Sequence, residues 1–347
     1  MNSPLQISKQ VSALAAQAEQ GLEAQFSRID AIAQVNTQRV LAAFQEHRVA
    51  ESYFAGTTGY GYDDLGRDKL DEIYAKLFGT EDALVRIQFV NGTHAISCAL
   101  FGALKAGDVL VSAVGAPYDT LLGVVGAVDK GHGSLKDYGV EYRQVELVND
   151  APDPEGLALA VRDPRVKAVL IQRSKGYATR ASLSVEEIGK LCAVVRKNNM
   201  DAVILVDNCY GEFVEEQEPT HVGADLVVGS LIKNPGGGLA PTGAYIAGRH
   251  DLVEGAAQRL TCPGIGRECG STLGNNRLLY QGLFMAPHTV AQALKTAVFA
   301  ARLMELLGYE TEPKSGAVRH DIIQMIHLGG PEAVKRFCKG IQSGAPV

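Results

Sequence analysis

Blocks of apolar and polar residues alternate along most of the chain, and they predict strands and helices in turn. Short runs rich in Val, Ile and Leu are typical of buried parallel strands, and apolar residues spaced three or four apart are typical of helices. Strands are predicted at residues 83–90, 108–112, 140–148, 166–171, 202–207, 225–230 and 242–248. Helices are predicted at residues 66–78, 96–106, 184–198 and 251–260. This alternation predicts an α/β fold with a mostly parallel sheet.

The two ends of the chain do not follow this alternation. Residues 10–47 show helical spacing and predict two helices, whereas the C-terminal part predicts a long helix at 289–307, one strand at 321–327 and one helix at 331–339. A length of 347 residues exceeds the usual size of one domain. We therefore expect an N-terminal helical arm at residues 1–50, a large domain at 51–250 and a smaller α+β domain at 251–347.

The smaller domain looks unfinished at the level of sequence. A single strand cannot pair its own backbone groups or bury both of its faces. The residues that follow the last predicted helix have the composition of a connector. We expect a truncated domain with exposed apolar surface on its strand and its helix.

Composition and charge limit the kinds of molecule that the protein is expected to bind. A net charge of −6 argues against general affinity for nucleic acid or anionic membranes. No apolar run reaches the roughly 18 residues that span a bilayer. The six cysteines are scattered without the spacing of metal ligands, so we expect reduced thiols in a cytoplasmic protein and no metal site.

Two of the predicted strands run directly into polar residues that are candidates for chemistry. One ends on Asp207, and the next ends on Ser230, with Lys233 just before a glycine run at 236–238. The carboxyl ends of parallel strands meet at one edge of the sheet, where open α/β sheets bind ligands. Each residue alone is commonly a solvated strand end or loop lysine. Together and in this order they indicate an active site.

Two further segments could reach the same edge. Asn91, Gly92 and Thr93 join a strand to a helix, and the free amides of a helix N-terminus favour a phosphate. Most such turns bind nothing, so an ordinary connection is the alternative. Tyr118 follows another strand and could lie against the face of a ring, or it could simply face the core.

Five motifs in this order carry a resemblance to a known family. They lie at residues 91–95, 117–120, 172–177, 207–212 and 230–238. Together they resemble the pyridoxal-phosphate (PLP)-dependent family of aluminium-resistance and methionine gamma-lyase-like proteins, a branch of the cystathionine and methionine enzymes. The resemblance implies the fold-type-I transferase fold and pyridoxal 5'-phosphate as cofactor.

The resemblance also implies a role for each site residue. Lys233 would bond the cofactor as a Schiff base and then remove the Cα proton of the substrate, which requires burial and a neighbouring pyridinium to favour its neutral form. Asp207 would keep the pyridine nitrogen protonated, and Tyr118 would stack on the ring and protonate a departing thiolate. The phosphate would be held by Asn91, Gly92, Thr93 and Ser230.

A second subunit completes the site in the cystathionine enzymes by supplying a Tyr-x-Arg pair to the phosphate. The matching loop here reads Tyr60-Gly61-Tyr62 and offers no arginine. By resemblance, Tyr60 or Tyr62 takes this role across a subunit boundary, and Arg67 and Arg267 are the candidates for the positive charge. This implies a homodimer or homotetramer.

The expected reaction is cleavage of a carbon–sulfur bond in a sulfur amino acid by β- or γ-elimination. The residues leave two alternatives open: a PLP enzyme of another type, catalysing transamination, aldol cleavage or racemisation, and a PLP-binding protein without turnover. They identify neither the amino acid nor the group that binds its α-carboxylate.

Overall fold

A seven-stranded sheet forms the centre of the protein in the computed structural model, which describes residues 7–176 and 178–345. Its strands are β1 (Asp82–Arg86), β2 (Val109–Ser112), β3 (Glu141–Gln144), β4 (Val166–Gln172), β5 (Val203–Asp207), β6 (Leu226–Ser230) and β7 (Ala244–Gly248). They lie in the order β1-β7-β6-β5-β4-β2-β3.

The pairing of the strands confirms a mostly parallel sheet. The pairs among β2 to β6 are all parallel, while β7 runs antiparallel to both β6 and β1. The connection from β6 to β7 contains a 3-10 helix, Asn234–Gly236, and no α-helix that could make a crossover. Because parallel pairing usually needs such a crossover, β7 returns in the opposite direction.

Helices cover both faces of the sheet. They are α1 (Lys9–Glu19), α2 (Glu23–Glu46), α3 (Leu65–Phe78), α4 (Gly92–Ala103), α5 (Asp119–Val125), α6 (Pro154–Ala160), α7 (Val185–Asn198), α8 (His250–Leu260), α9 (Asn276–Leu306) and α10 (Pro331–Gly344). Neighbouring strand residues enter different cores: Val169 and Val227 pack on one face, and Leu170 and Val228 pack on the other. Within the described residues, no helix is long and apolar enough to cross a membrane.

Helix α9 begins well before the predicted start at residue 289. The sequence between Asn276 and Pro287 contains both a glycine and a proline, which locally disfavour helix. A Cβ atom at Gly282 would lie 2.3 Å from the carbonyl oxygen of Gly236, so only glycine lets the helix pack on the turn after β6. Tertiary packing therefore outweighs local propensity here.

The C-terminal part differs from the prediction in its strands. The strand predicted at 321–327 is reduced to β9 (Met325–His327), and it pairs antiparallel with β8 (Glu310–Glu312), which the pattern did not predict. The expectation of a strand without a partner is therefore wrong. Helix α10 has no buried residue, and its Val334, Phe337 and Ile341 are exposed, as expected for that helix.

Candidate active site

A cleft of about 640 Å³ opens at the carboxyl edge of the parallel strands. The sequence-predicted residues that line it are Asn91, Gly92, Thr93, Tyr118, Asp207, Ser230 and Lys233. The strands bring these positions together because β4, β5 and β6 are neighbours and end side by side. The fold thus gathers most of the candidate site into one cavity.

The N-terminus of α4 supplies the first wall of the cleft. Asn91 caps the helix, and its Oδ1 accepts a hydrogen bond of 2.9 Å from the amide of His94. Gly92 and Thr93 are the first residues of the helix, where backbone N–H groups have no carbonyl partner within the helix. A Cβ atom at Gly92 would lie only 3.3 Å from the Cys209 Sγ, so glycine keeps this turn close to β5 and β6. The arrangement suits a bound anion.

Ser230 stands beside this helix end as the last residue of β6. Its side chain is 1% exposed, and its Oγ has no hydrogen-bond partner among residues 7–176 and 178–345. A buried hydroxyl without a partner is costly. A phosphate oxygen would satisfy it, so this orphan atom fits the cofactor that the sequence implies.

Asp207 ends β5 as a buried carboxyl group. Its Oδ1 accepts a hydrogen bond of 3.1 Å from the amide of Cys209. Burial raises the pKa of Asp207, and the nearby Lys233 and the Cys209 amide oppose that shift. A protonated ring nitrogen is the kind of partner that would stabilise this carboxylate.

Lys233 follows Ser230 by one tight turn, in which its amide donates to the Ser230 carbonyl at 3.2 Å. The Nζ atom lies 3.8 Å from the centre of the Tyr210 ring. Burial disfavours the ammonium form, yet Cys209, Tyr210 and Asp207 favour it more strongly and raise the pKa of Lys233. The groups around Lys233 in this chain therefore favour the protonated amine.

Tyr118 caps the start of α5, and its backbone amide donates to Gln172 Oε1 at 3.0 Å. Its hydroxyl lies 2.9 Å from the hydroxyl of Thr93. Burial, with the charge of Asp207, raises the pKa of Tyr118 far above its ordinary value. The side chain is therefore a neutral phenol.

Other residues in the cleft are not identified by the sequence patterns. Gln172 lies opposite Asp207 in the β4–β5 register. Like Asp207, it is a polar residue at the end of a strand, and that position is the signal that could have identified it as a site residue. Cys209, two residues after Asp207, also borders the cleft. The remaining wall comes from the C-terminal part, at Ile323, Gln324 and Met325, where no sequence motif marks a site.

The two loop tyrosines lie outside the cleft of this chain. Tyr60 and Tyr62 are exposed, and their ring centres are 5.9 Å apart. Arg67 donates to the Gly61 carbonyl at 2.6 Å, and Arg267 forms ion pairs with Asp71 and Asp82. One chain therefore brings neither the tyrosines nor the two candidate arginines to the cleft.

Comparisons with known proteins agree with this geometry. An uncharacterized protein of Bacillus subtilis, YnbB, is 49% identical over 322 residues, which are 92% of this chain and 76% of the relative. The crystal structure of a carbon-sulfur lyase involved in aluminum resistance from Clostridium novyi matches with a TM-score of 0.95 and 48% identity, over 98% of this chain and 82% of that chain.

The L-methionine gamma-lyase of Porphyromonas gingivalis is 30% identical over 203 residues, which are 58% of this chain and 46% of that enzyme. The architecture is that of fold-type-I PLP-dependent enzymes, as the resemblance implied. A family model described as methionine gamma-lyase matches residues 11–347. The chain belongs to the methionine gamma-lyase family.

Proposed function

We propose that this protein is a PLP-dependent carbon–sulfur lyase that cleaves a sulfur amino acid by β- or γ-elimination. The observation that carries the proposal is the meeting of Lys233, Asp207 and the unpartnered Ser230 hydroxyl at one strand edge, beside the N-terminus of α4. Membership of the methionine gamma-lyase family and the similar carbon-sulfur lyase of Clostridium novyi support it.

The residues of the cleft divide into groups that would hold different parts of the cofactor. The Gly92 and Thr93 amides and the Ser230 hydroxyl would hold the phosphate, with Asn91 fixing the helix end by its cap. Asp207 would bind the ring nitrogen. When bound, PLP supplies an electron sink that stabilises negative charge at the substrate Cα atom.

Lys233 would bond to the cofactor and afterwards take the proton from the substrate Cα atom at Nζ. A protonated amine cannot accept this proton, so the Nζ charge must be lost first. Pairing of Asp207 with a ring nitrogen would reduce the attraction that Asp207 exerts on Nζ. The Asp207 carboxylate would then act on both the ring nitrogen and Nζ.

Tyr118 would act on the leaving group. Its neutral phenol can donate a proton to a departing sulfur, and its hydrogen bonds to Thr93 and Gln172 fix its position. General acid catalysis of this kind contributes about 10²–10⁴-fold to a rate.

We also propose that the active unit is a homodimer or homotetramer. Tyr60 and Tyr62 are exposed at a loop, where they are free to reach the cleft of a second copy. Dilution to monomers should then release cofactor, as followed by ultrafiltration and absorbance. A monomer that retains full cofactor occupancy would contradict this assembly.

Borohydride trapping tests the central claim. Protein incubated with PLP should absorb in the visible range, lose that colour on reduction and carry the label on the peptide containing Lys233. K233A should take up no label. K175A is the matched control because Lys175 is also a buried lysine and its neighbours Ser174 and Gly176 line the cleft. Equal labelling of K233A and wild type would refute the proposal.

Release of both a keto acid and a thiol from methionine, cystathionine or cysteine conjugates tests the reaction itself. Both products should appear with wild type and disappear with K233A. Keto acid formed without thiol would indicate transamination instead of elimination.

A further inference from the structure

The C-terminal part of the chain is tied to the loop after β4 by one buried carboxylate. Asp321 Oδ2 accepts a hydrogen bond of 2.8 Å from the Ser174 hydroxyl and one of 3.3 Å from the Lys175 amide. All three residues are buried. The bonded groups are 147 and 146 residues apart in sequence, so this contact joins two distant segments.

From Ser174 the contacts continue to Tyr118. The Gln172 side chain donates from Nε2 to the Ser174 carbonyl at 3.0 Å, and its Oε1 accepts from the Tyr118 amide at 3.0 Å. Arg180 supports the same loop by donating to the carbonyls of Ser174 and Gln172 at 2.9 and 2.6 Å. The position of Tyr118 thus depends on the loop that Asp321 holds.

The second oxygen of Asp321 acts on the opposite wall of the cleft. Its Oδ1 accepts a hydrogen bond of 3.0 Å from the Ile323 amide. This bond orients the turn that leads into Ile323, Gln324 and Met325, which line the cleft. One carboxylate therefore connects two walls that come from different parts of the chain.

We propose that Asp321 is a positioning residue that sets the placement of Tyr118 and of the C-terminal wall together. It lies outside the set of residues that line the cleft and acts through Ser174, Gln172 and Ile323. Its effect on turnover rests on the proposed lyase function, whereas its effect on the loop requires neither cofactor nor substrate.

Amide hydrogen exchange on the cofactor-free protein tests the positioning directly. In D321A, the segment containing the Tyr118 amide should exchange about tenfold faster, which corresponds to about 1.4 kcal/mol. D321N keeps one acceptor oxygen, which can serve the Ser174 and Lys175 donors but not the Ile323 amide as well, so exchange at Tyr118 should be slower than in D321A. E305A is the matched control: Glu305 accepts hydrogen bonds from Thr311 and Ser315 in the same C-terminal part and, among the described residues, has none with Ser174, Gln172 or Tyr118. Equal exchange at Tyr118 in D321A and wild type would overturn the proposal.

Steady-state kinetics then distinguish the contributions of the two walls to kcat and KM. D321A should lower kcat and raise KM for whichever of L-methionine or L-cystathionine wild type cleaves. Both walls lose the hydrogen bonds to Asp321 that position them. S174A keeps the bond from Asp321 to Ile323, so kcat should fall with KM near the wild-type value. S174A also tests the proposal if D321A does not fold. An S174A variant with wild-type kcat and wild-type exchange at Tyr118 would refute it.

Failure of this inference is distinguishable from failure of the lyase assignment. If wild type takes up no borohydride label, the cofactor proposal fails, and the exchange experiment on the cofactor-free protein still decides the role of Asp321. If wild type is labelled and D321A matches it in exchange and in kinetics, only the positioning role is wrong.

Discussion

Ser230→Ala should stabilise the cofactor-free protein and weaken cofactor binding at the same time. The Ser230 hydroxyl is buried and has no partner in the part of the chain that the structure describes. Leaving a buried polar group unsatisfied costs about 1–3 kcal/mol, and alanine removes that group. The small cavity left behind offsets part of this gain, so we expect a net stabilisation of about 1 kcal/mol.

The same substitution should act in the opposite direction once phosphate is bound. A hydrogen bond to a charged group contributes about 1.5–3 kcal/mol, so S230A should weaken PLP binding roughly 10- to 150-fold. Pyridoxal without the phosphate should bind wild type and S230A equally. Urea unfolding of the cofactor-free proteins and absorbance titration with both ligands measure the two effects.

Ser112→Ala is the matched control for this experiment. Ser112 is also the last residue of a strand and also 1% exposed, but its Oγ donates to the Gly115 carbonyl at 2.6 Å. S112A removes a satisfied hydrogen bond and should destabilise the protein by about 1 kcal/mol without changing phosphate discrimination. If S230A destabilised the cofactor-free protein as S112A does, or if it weakened pyridoxal as much as PLP, the reasoning would be refuted.

Three further substitutions test other parts of the structure. D71A should lower the free energy of unfolding by about 3–5 kcal/mol in urea, because it leaves the buried Arg86 without its partner at 2.8 Å; a loss below 1 kcal/mol would contradict this. Burial, with the Glu218 charge, raises the pKa of Glu212 to about 8. Because the folded form holds this proton more tightly than the unfolded chain, wild type should lose stability relative to E212Q as the pH rises from 5 to 8, and a constant difference would exclude it. Y118F should retain cofactor absorbance while thiol release falls at least tenfold, and unchanged release would remove Tyr118 as the acid.

The central part of the site could be predicted from sequence because short-range patterns determine it. A buried apolar run that ends on a polar residue specifies both the strand and the edge at which the side chain emerges, and this applies to Asp207 and Ser230. The turn at Gly92, proposed to hold the phosphate, follows the same logic, since a strand is followed by a capped helix. The carboxyl ends of parallel strands lie at the same edge of the sheet, so these residues come together without any long-range sequence signal.

The remaining parts depend on contacts that leave no local pattern. The early start of α9 requires the close approach of Gly282 to Gly236, and the pairing of β8 with β9 joins two strands of three residues each. The bond from Ser174 to Asp321 joins residues on opposite sides of α9 in the sequence. None of these is visible in periodicity, which reports only which face of an element is buried.

The residues predictable from local sequence patterns and the residues fixed by long-range contacts lie in different parts of the cleft. The residues assigned to the cofactor lie at strand ends or at the start of α4, whose backbones are held by the sheet and its packed helices. The wall at Ile323, Gln324 and Met325 lies on a short segment outside the seven-stranded sheet, and the bond to Asp321 is among the contacts that fix it. Rigid elements hold reacting groups within the narrow tolerance that catalysis requires. Contacts with the substrate side chain can vary more, so the less regular C-terminal wall is where we expect substrate preference to be determined.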